Sequence, residues 1–407
     1  MLRFFLASLS LAVCAATCWA AKPHTKHAAA SPVAAAPAAA PAAAPAASAP
    51  VIGGIPGAPQ VDARSYILVD YQTDKVLAAS NPTERMEPAS LTKLMTAYIV
   101  FHELSIGKLK LEDMVTVSEH AWRSEGSRTF IELGKPVSVN DLILGMIVQS
   151  GNDATIALAE RVAGTEDTFA QLMNSTAKSL DMAGSHFENS SGLPSPQHYT
   201  TARDMSLLAI AMIRDYPQYY KYYSVREFEH NGIKQQNRNG LLEKDPSVDG
   251  LKTGHTDSAG FCLVTSAHRE GMRLISVVLG STSMKARENA SAALLTYGFT
   301  FFDTKLIAKG GAVLASTHVW KAAQPTWELG IKDNLYITLA RGQSDVKTAI
   351  DVQPKLIAPL GLDANVGTLR VLNGSQVLAS AVLHPLKPVT AGGWWRRLID
   401  TIRLWFA

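Results

Sequence analysis

The hydrophobic rhythm of the chain changes several times, and each change marks an element. Ser65-Tyr-Ile-Leu-Val-Asp70 is a run of bulky apolar residues, Thr73-Asp-Lys75 reads as a turn, and Val76-Leu-Ala-Ala-Ser80 returns. Bulky and β-branched residues bounded by turn chemistry predict two strands, with order beginning at Ser65. Apolar positions then recur every three or four residues over 90–104, 139–147, 153–162, 165–180 and 202–214. That spacing collects them on one side of a 3.6-residue turn and predicts helices. Thr200-Thr-Ala-Arg-Asp204 is a good capping region for the last of these. Past Lys244 the pattern is strand-like again over 248–253, 259–269 and 273–279, and a helix over 283–299 follows. Strands at both ends with helices between them predict an α/β chain of the α+β type. Its antiparallel sheet is assembled from both ends of the segment, with a helical insertion. In 303–390, short strands separated by Gly, Pro and Asn predict a separate small β-rich domain.

The two ends follow other patterns. Arg3 precedes the apolar run Phe4–Val13, which is too short to span a bilayer, and small residues lead to Ala20. Residues 1–20 are therefore expected to be an export signal. Residues 21–60 are Ala/Pro-rich and carry too little apolar surface to offset the entropy of ordering, so a tether is expected. At the other end, a helix over 394–406 gathers Trp394, Trp395, Leu398, Ile399, Ile402, Trp405 and Phe406 on one face. Arg396, Arg397, Asp400 and Arg403 fall on the other, and Leu404 fits neither. This stretch is too short to cross a membrane but suits its interface, with Gly392-Gly393 as a hinge. Residues 392–407 are read as a membrane-surface anchor.

Composition narrows the chemistry. The 407 residues suffice for two domains, and 47% apolar with 18% charged residues is ordinary for a soluble protein. A formal charge of +3 gives no reason to expect a nucleic-acid partner. Cys14 and Cys18 leave with the signal, so Cys262 stands alone and is read as packing. No helical His pair with a nearby acid and no phosphate-binding or dinucleotide glycine pattern occurs, so neither metal nor cofactor is expected.

Three short motifs remain: Ser90-Leu-Thr-Lys93, Ser150-Gly-Asn152 and Lys252-Thr-Gly254. Spacing alone does not select Ser90, because Ser105…Lys108, Ser175…Lys178 and Ser344…Lys347 share it. Context does. Ser90 follows Pro88-Ala89 at a predicted helix start, where unpaired N–H groups carry partial positive charge, and Lys93 lies one turn along. For Lys93 to take the Ser90 proton its amine must be neutral, which requires burial and a second cation, for which Lys252 is the candidate.

The motif set resembles that of penicillin-binding proteins and class A β-lactamases. Gly151, Glu87–Met95, Thr201–Asp204, Asn237-Arg-Asn-Gly240 and Asp249–His255 look like the low-molecular-mass D-Ala-D-Ala carboxypeptidases, over roughly residues 62–390. The resemblance implies a β-lactamase/transpeptidase-like domain over 61–302. It implies an acyl-enzyme on Ser90, Lys93 as base, Ser150 as proton relay, and Asn152 binding the substrate amide while holding Lys93. The N–H groups of Ser90 and His255 would form an oxyanion hole, and Lys252, Thr253 and Arg238 would receive the terminal carboxylate beside Gly254. Implied partners are the D-Ala-D-Ala peptides of peptidoglycan, with β-lactams as inhibitors. The implied location is the periplasmic side of the inner membrane, held peripherally. Alternatives are a β-lactamase, for which Glu188 is the acid to consider, a D,D-endopeptidase, or a non-catalytic wall-binding protein. His198 is assigned no function.

Overall fold

A five-stranded antiparallel sheet is the frame on which everything else is hung. The computed structural model describes residues 55–406, so the expected export signal and most of the expected tether lie outside the described residues. Strands β1 (Ser65–Asp70), β2 (Val76–Ser80), β3 (Val248–Thr256), β4 (Gly260–Arg269) and β5 (Met272–Ser281) lie in the order β2-β1-β5-β4-β3. Tyr66 pairs opposite Val278, so the sheet joins the two ends of the segment as the element order predicts.

The strands read as unbroken apolar runs because both sheet faces are covered. Successive side chains point to opposite faces. Ile67 and Val69 of β1 enter one apolar cluster, and Tyr66 and Leu68 enter another. In β5 Ile275 and Val277 join the first cluster, while Leu274 and Val278 join the second. Each such fully buried side chain contributes about 1.5–3 kcal/mol. Cys262 lies in the first cluster, and burial pushes its thiol up to about 11, in keeping with an inert packing role.

The inserted helices are α1 (Thr92–Ser105), α2 (Asn152–Ala163), α3 (Glu166–Ser179) and α4 (Ala202–Asp215), with α5 (Met284–Phe301) on the far side of the sheet. Thr165, Thr201 and Ser283 cap α3, α4 and α5 by accepting the backbone N–H three residues on. α1 is buried nearly all round, including the polar Thr92, Lys93 and Thr96. Each has a partner, and Thr96 donates to the Ser190 carbonyl at 2.6 Å. The helix expected over 139–147 is divided: Val139–Leu144 is α-helical and Gly145–Gln149 widens into a π turn.

The chain leaves α5 into a β-rich domain. Strand β6 (Phe302–Ala308) pairs with β9 (Leu335–Ala340). β7 (Ala315–His318), β8 (Thr326–Gly330), β10 (Lys347–Val352), β11 (Gly367–Asn373) and β12 (Gln376–Pro385) form a second sheet ordered β7-β8-β12-β11-β10. Polar contacts tie this domain to the first sheet. Buried Asp70 accepts from the hydroxyls of Thr73 and Thr304, Thr73 meets Thr338 at 2.6 Å, and Lys75 donates to the Thr338 carbonyl at 2.9 Å.

Two expectations change at the ends. Order begins before Ser65: Ile55, Ala58 and Val61 pack against the second cluster, and Tyr297 donates to the Pro56 carbonyl. These apolar side chains follow the alanine stretch, and they have a surface to cover. Helix α6 (Trp394–Leu404) is docked rather than hinged free. Asp400 is buried and accepts the Lys321 N–H at 2.7 Å, Arg396 reaches the Ala323 carbonyl, and the Gly392 N–H donates to Lys321. Arg396, Asp400 and Leu404 follow at four-residue intervals, so they share one docked stripe, which accounts for Leu404. The apolar side chains point the other way, and Trp405 remains 81% exposed. Among the described residues no helix is long and apolar enough to cross a membrane.

Candidate active site

Ser90 lies in a tight turn, Ala89–Leu91, immediately ahead of α1. Lys93, in the first turn of α1, donates to Ser90 Oγ at 3.0 Å, to Asn152 Oδ1 at 2.7 Å and to the Ser191 carbonyl at 2.6 Å. Three acceptors thus fix a side chain that is 1% exposed. Burial lowers the Lys93 amine to about 7, and the guanidinium of Arg238 adds to this, against Asp153 and Glu166, which pull upward.

The second motif follows the π turn. Ser150 adopts a left-handed backbone (φ 67°), and Asn152 opens α2. Residue 151 must be small: a Cβ there would lie 2.0 Å from Thr129 Oγ1 and 2.8 Å from the Thr129 nitrogen. The 125–131 loop is drawn this close by Asp153, whose carboxylate accepts from the N–H groups of Thr129, Phe130 and Ile131. The same loop receives Asn152, whose amide donates to the Glu125 carbonyl at 2.6 Å.

β3 is an edge strand of the sheet, and it carries the third motif past the start of α1. Gly254 permits the approach, since a Cβ there would come within 3.0 Å of the Pro88 carbonyl oxygen. Lys252 donates to Ser150 Oγ at 2.9 Å and to the Thr253 carbonyl at 3.0 Å. Lys252 and Lys93 repel one another as two buried amines, and Arg238 adds its charge to both: Lys252 is held well below the ordinary lysine range, by burial first and then by the charges of Lys93, Arg238 and Arg287.

These residues surround an open cleft of about 520 Å³ whose lining includes Ser90, Ser150, Arg238, Thr253, Gly254 and His255. Lys93, Asn152 and Lys252 lie buried beneath its surface. All nine residues singled out in the sequence therefore converge. Each serine is bonded to one lysine, Ser90 to Lys93 and Ser150 to Lys252, and among the described residues no direct bond joins Ser150 to Lys93. The Arg238 turn is shaped by its neighbours: Asn237 donates to the Val225 carbonyl and accepts the Asn239 N–H. The His255 ring lies against Phe261, with ring centres 4.0 Å apart.

Several site residues escape motif reading. Ser127 and Arg287 line the cleft, Arg287 donating to the Gly254 carbonyl at 3.1 Å, and Ser191 supplies a carbonyl to Lys93. Ser191 and Arg287 act on backbone or through it, so no short pattern announces them. Glu188 is not among the cleft residues: it accepts from Ser195 Oγ and the Gln197 N–H within its own loop.

A serine hydroxyl bonded to a buried, low-pKa amine at an open cleft is the constellation of a serine acyl-transfer enzyme. Residues 53–283 match the family described as D-alanyl-D-alanine carboxypeptidase, and residues 301–391 match the penicillin-binding protein 5, C-terminal domain. The chain is 42% identical over 361 residues to D-alanyl-D-alanine carboxypeptidase DacA of Escherichia coli K12, covering 86% of this chain and 90% of the relative. It is 43% identical over 358 residues to DacC of the same strain, with the same two coverages. Penicillin-binding protein 5 from Haemophilus influenzae superposes with a TM-score of 0.77 at 41% identity, covering 82% of this chain and 98% of that one. The chain belongs to the D-alanyl-D-alanine carboxypeptidase family.

Proposed function

We propose that this serine D-alanyl-D-alanine carboxypeptidase works through an acyl-enzyme on Ser90. The carrying observation is the 3.0 Å contact between Ser90 Oγ and the buried Lys93 amine. With its amine at about 7, Lys93 is neutral in a large fraction of molecules near neutrality and can take the hydroxyl proton as Oγ attacks the carbonyl between two D-alanines. The N–H groups of Ser90 and His255 receive the oxyanion. The departing amine takes a proton from the Ser150–Lys252 pair; water then attacks the acyl carbonyl, its proton restoring that pair while Lys93 returns its own to Ser90 Oγ, and the shortened peptide leaves. Asn152 holds Lys93 and meets the substrate amide.

The terminal carboxylate is received by Arg238, Thr253 and Lys252. An incoming carboxylate favours the charged form of Lys252, which takes up a proton from solvent and so holds one for the leaving amine. β-Lactams acylate the same hydroxyl; the relatives carrying the penicillin-binding name support this. Peptidoglycan pentapeptides are the proposed natural substrates. The β-lactamase reading is disfavoured by Glu188, which is committed to its own loop.

We also propose that residues 1–20 direct export and that the Ala/Pro-rich stretch after them is a tether. The exposed apolar face of α6 then rests on the outer surface of the cytoplasmic membrane, with Trp394, Trp395 and Trp405 at the headgroup boundary. Mass spectrometry after exposure to labelled penicillin tests the central assignment. A single adduct on Ser90, lost in Ser90→Ala together with D-alanine release, is expected; an adduct on another residue overturns it.

A further inference from the structure

His198 enters the site from behind. It is 3% exposed, and its ring meets Phe187 edge-on. Nδ1 accepts the Glu188 N–H at 3.2 Å, so the ring proton sits on Nε2, which lies 2.8 Å from Thr92 Oγ1. The Thr92 hydroxyl in turn donates to the Ala89 carbonyl at 2.8 Å. That carbonyl also accepts the Thr92 backbone N–H. A directed chain thus runs from the Glu188 N–H through His198 and Thr92 to the peptide bond that precedes Ser90. Burial holds His198 down at about 4, so the chain keeps its direction throughout the neutral range.

The end point of this chain is a strained one. Ala89 has φ +47°, a left-handed conformation that a residue with a Cβ adopts only under constraint. The loop bearing His198 is pressed onto the same carbonyl, since a Cβ at Gly192 would lie 1.8 Å from Ala89 O. In a planar trans peptide the C=O and the following N–H point in opposite directions. Fixing the Ala89 oxygen therefore aims the Ser90 N–H.

We propose that His198 is a positioning residue for acylation: through Thr92 it locks the Ala89–Ser90 peptide plane and so directs the Ser90 N–H at the developing oxyanion. The proposal rests on the reading of Ser90 as nucleophile. A hydrogen bond received by Thr92 also polarises its hydroxyl and strengthens its grip on Ala89.

The test separates rate from affinity. Stopped-flow acylation by a fluorescent penicillin is measured in the full chain and in His198→Phe, His198→Gln, Thr92→Val and Thr92→Ser, with thermal unfolding as the check on folding. His198→Phe and Thr92→Val are expected to acylate about 10- to 100-fold more slowly. Their non-covalent affinity stays within about threefold. His198→Gln, whose amide can accept from Glu188 and donate to Thr92, and Thr92→Ser restore the rate to within about threefold. The double variant His198→Phe/Thr92→Val is no slower than either single, because both cut one chain. If His198→Phe does not fold, Thr92→Val against Thr92→Ser decides, since the ring is then intact. Native rates in the folded variants, a loss confined to affinity, or a folded His198→Gln that fails to rescue would each overturn the proposal. A penicillin adduct that persists in Ser90→Ala would instead overturn the nucleophile.

Discussion

Lowering the pH is the most direct perturbation of the proposed base. The folded chain holds the Lys93 amine at about 7, against 10.5 for an ordinary lysine. At neutrality an ordinary lysine is uncharged in about one molecule in three thousand, whereas here about half the molecules carry a competent base. The difference between 10.5 and about 7 corresponds to about 5 kcal/mol in favour of the neutral amine. Its sign for stability follows from linkage. The folded state binds this proton more weakly than the unfolded state, so the amine weighs fully against folding below about pH 7. That burden fades as the pH rises towards 10.5. The rate constant for acylation by penicillin, measured by quenched flow, is expected to fall about fiftyfold between pH 7 and pH 5, approaching tenfold per pH step at the acid end. Because Lys93 and Lys252 interact, the midpoint belongs to the pair. Arg238→Gln removes one of the charges that lower Lys93, so the acid limb should move to higher pH. A rate independent of pH across this window, or an acid limb in the ordinary carboxylate range, would refute the reasoning.

Further consequences can be measured separately. Gly151→Ala should lower stability by about 1–3 kcal/mol in denaturant unfolding, since the new methyl meets the backbone of Thr129 as well as its side chain. Asp153→Ala strips the acceptor from three backbone N–H groups and should cost about 3 kcal/mol, with penicillin acylation falling as the 125–131 loop loosens. Replacing Trp405 and Phe406 by serine should weaken binding to anionic vesicles about tenfold or more, and leave D-alanine release from soluble peptides unchanged. Deleting residues 392–407 should release the protein from membranes with activity retained; a truncated protein that still sedimented with vesicles would remove the anchor proposal.

Much of the frame was legible because local rhythm and tertiary burial agree. β1 and β5 announce themselves as apolar runs, and they are apolar because helices cover both faces of the sheet. Ser90 and Lys93 could be paired from spacing together with Pro88-Ala89 at the helix start, since one helical turn brings them into register. The parts that escaped depend on long-range contact. The π turn at Gly145–Gln149 has no local signature, and it is what sets Ser150 at the cleft. Arg238 as a further charge acting on Lys93, and the Ser191 carbonyl as its third acceptor, come from loops far away in the chain. His198 carried no motif, because its partners are a threonine hydroxyl and a backbone N–H. Helical spacing groups Asp400 with the arginines on the face opposite the apolar one, and the bond that it accepts from the Lys321 backbone N–H, which no local pattern announces, buries it there.

The docking of α6 through Arg396 and Asp400 fixes which side of the helix is turned away from the domain. A carboxypeptidase adsorbed through the opposite side of that helix would stand at one inclination rather than swivel on a leash. The cleft would then sweep a layer of fixed height above the lipid. Access to wall peptides would be governed by how deep in the sacculus they lie.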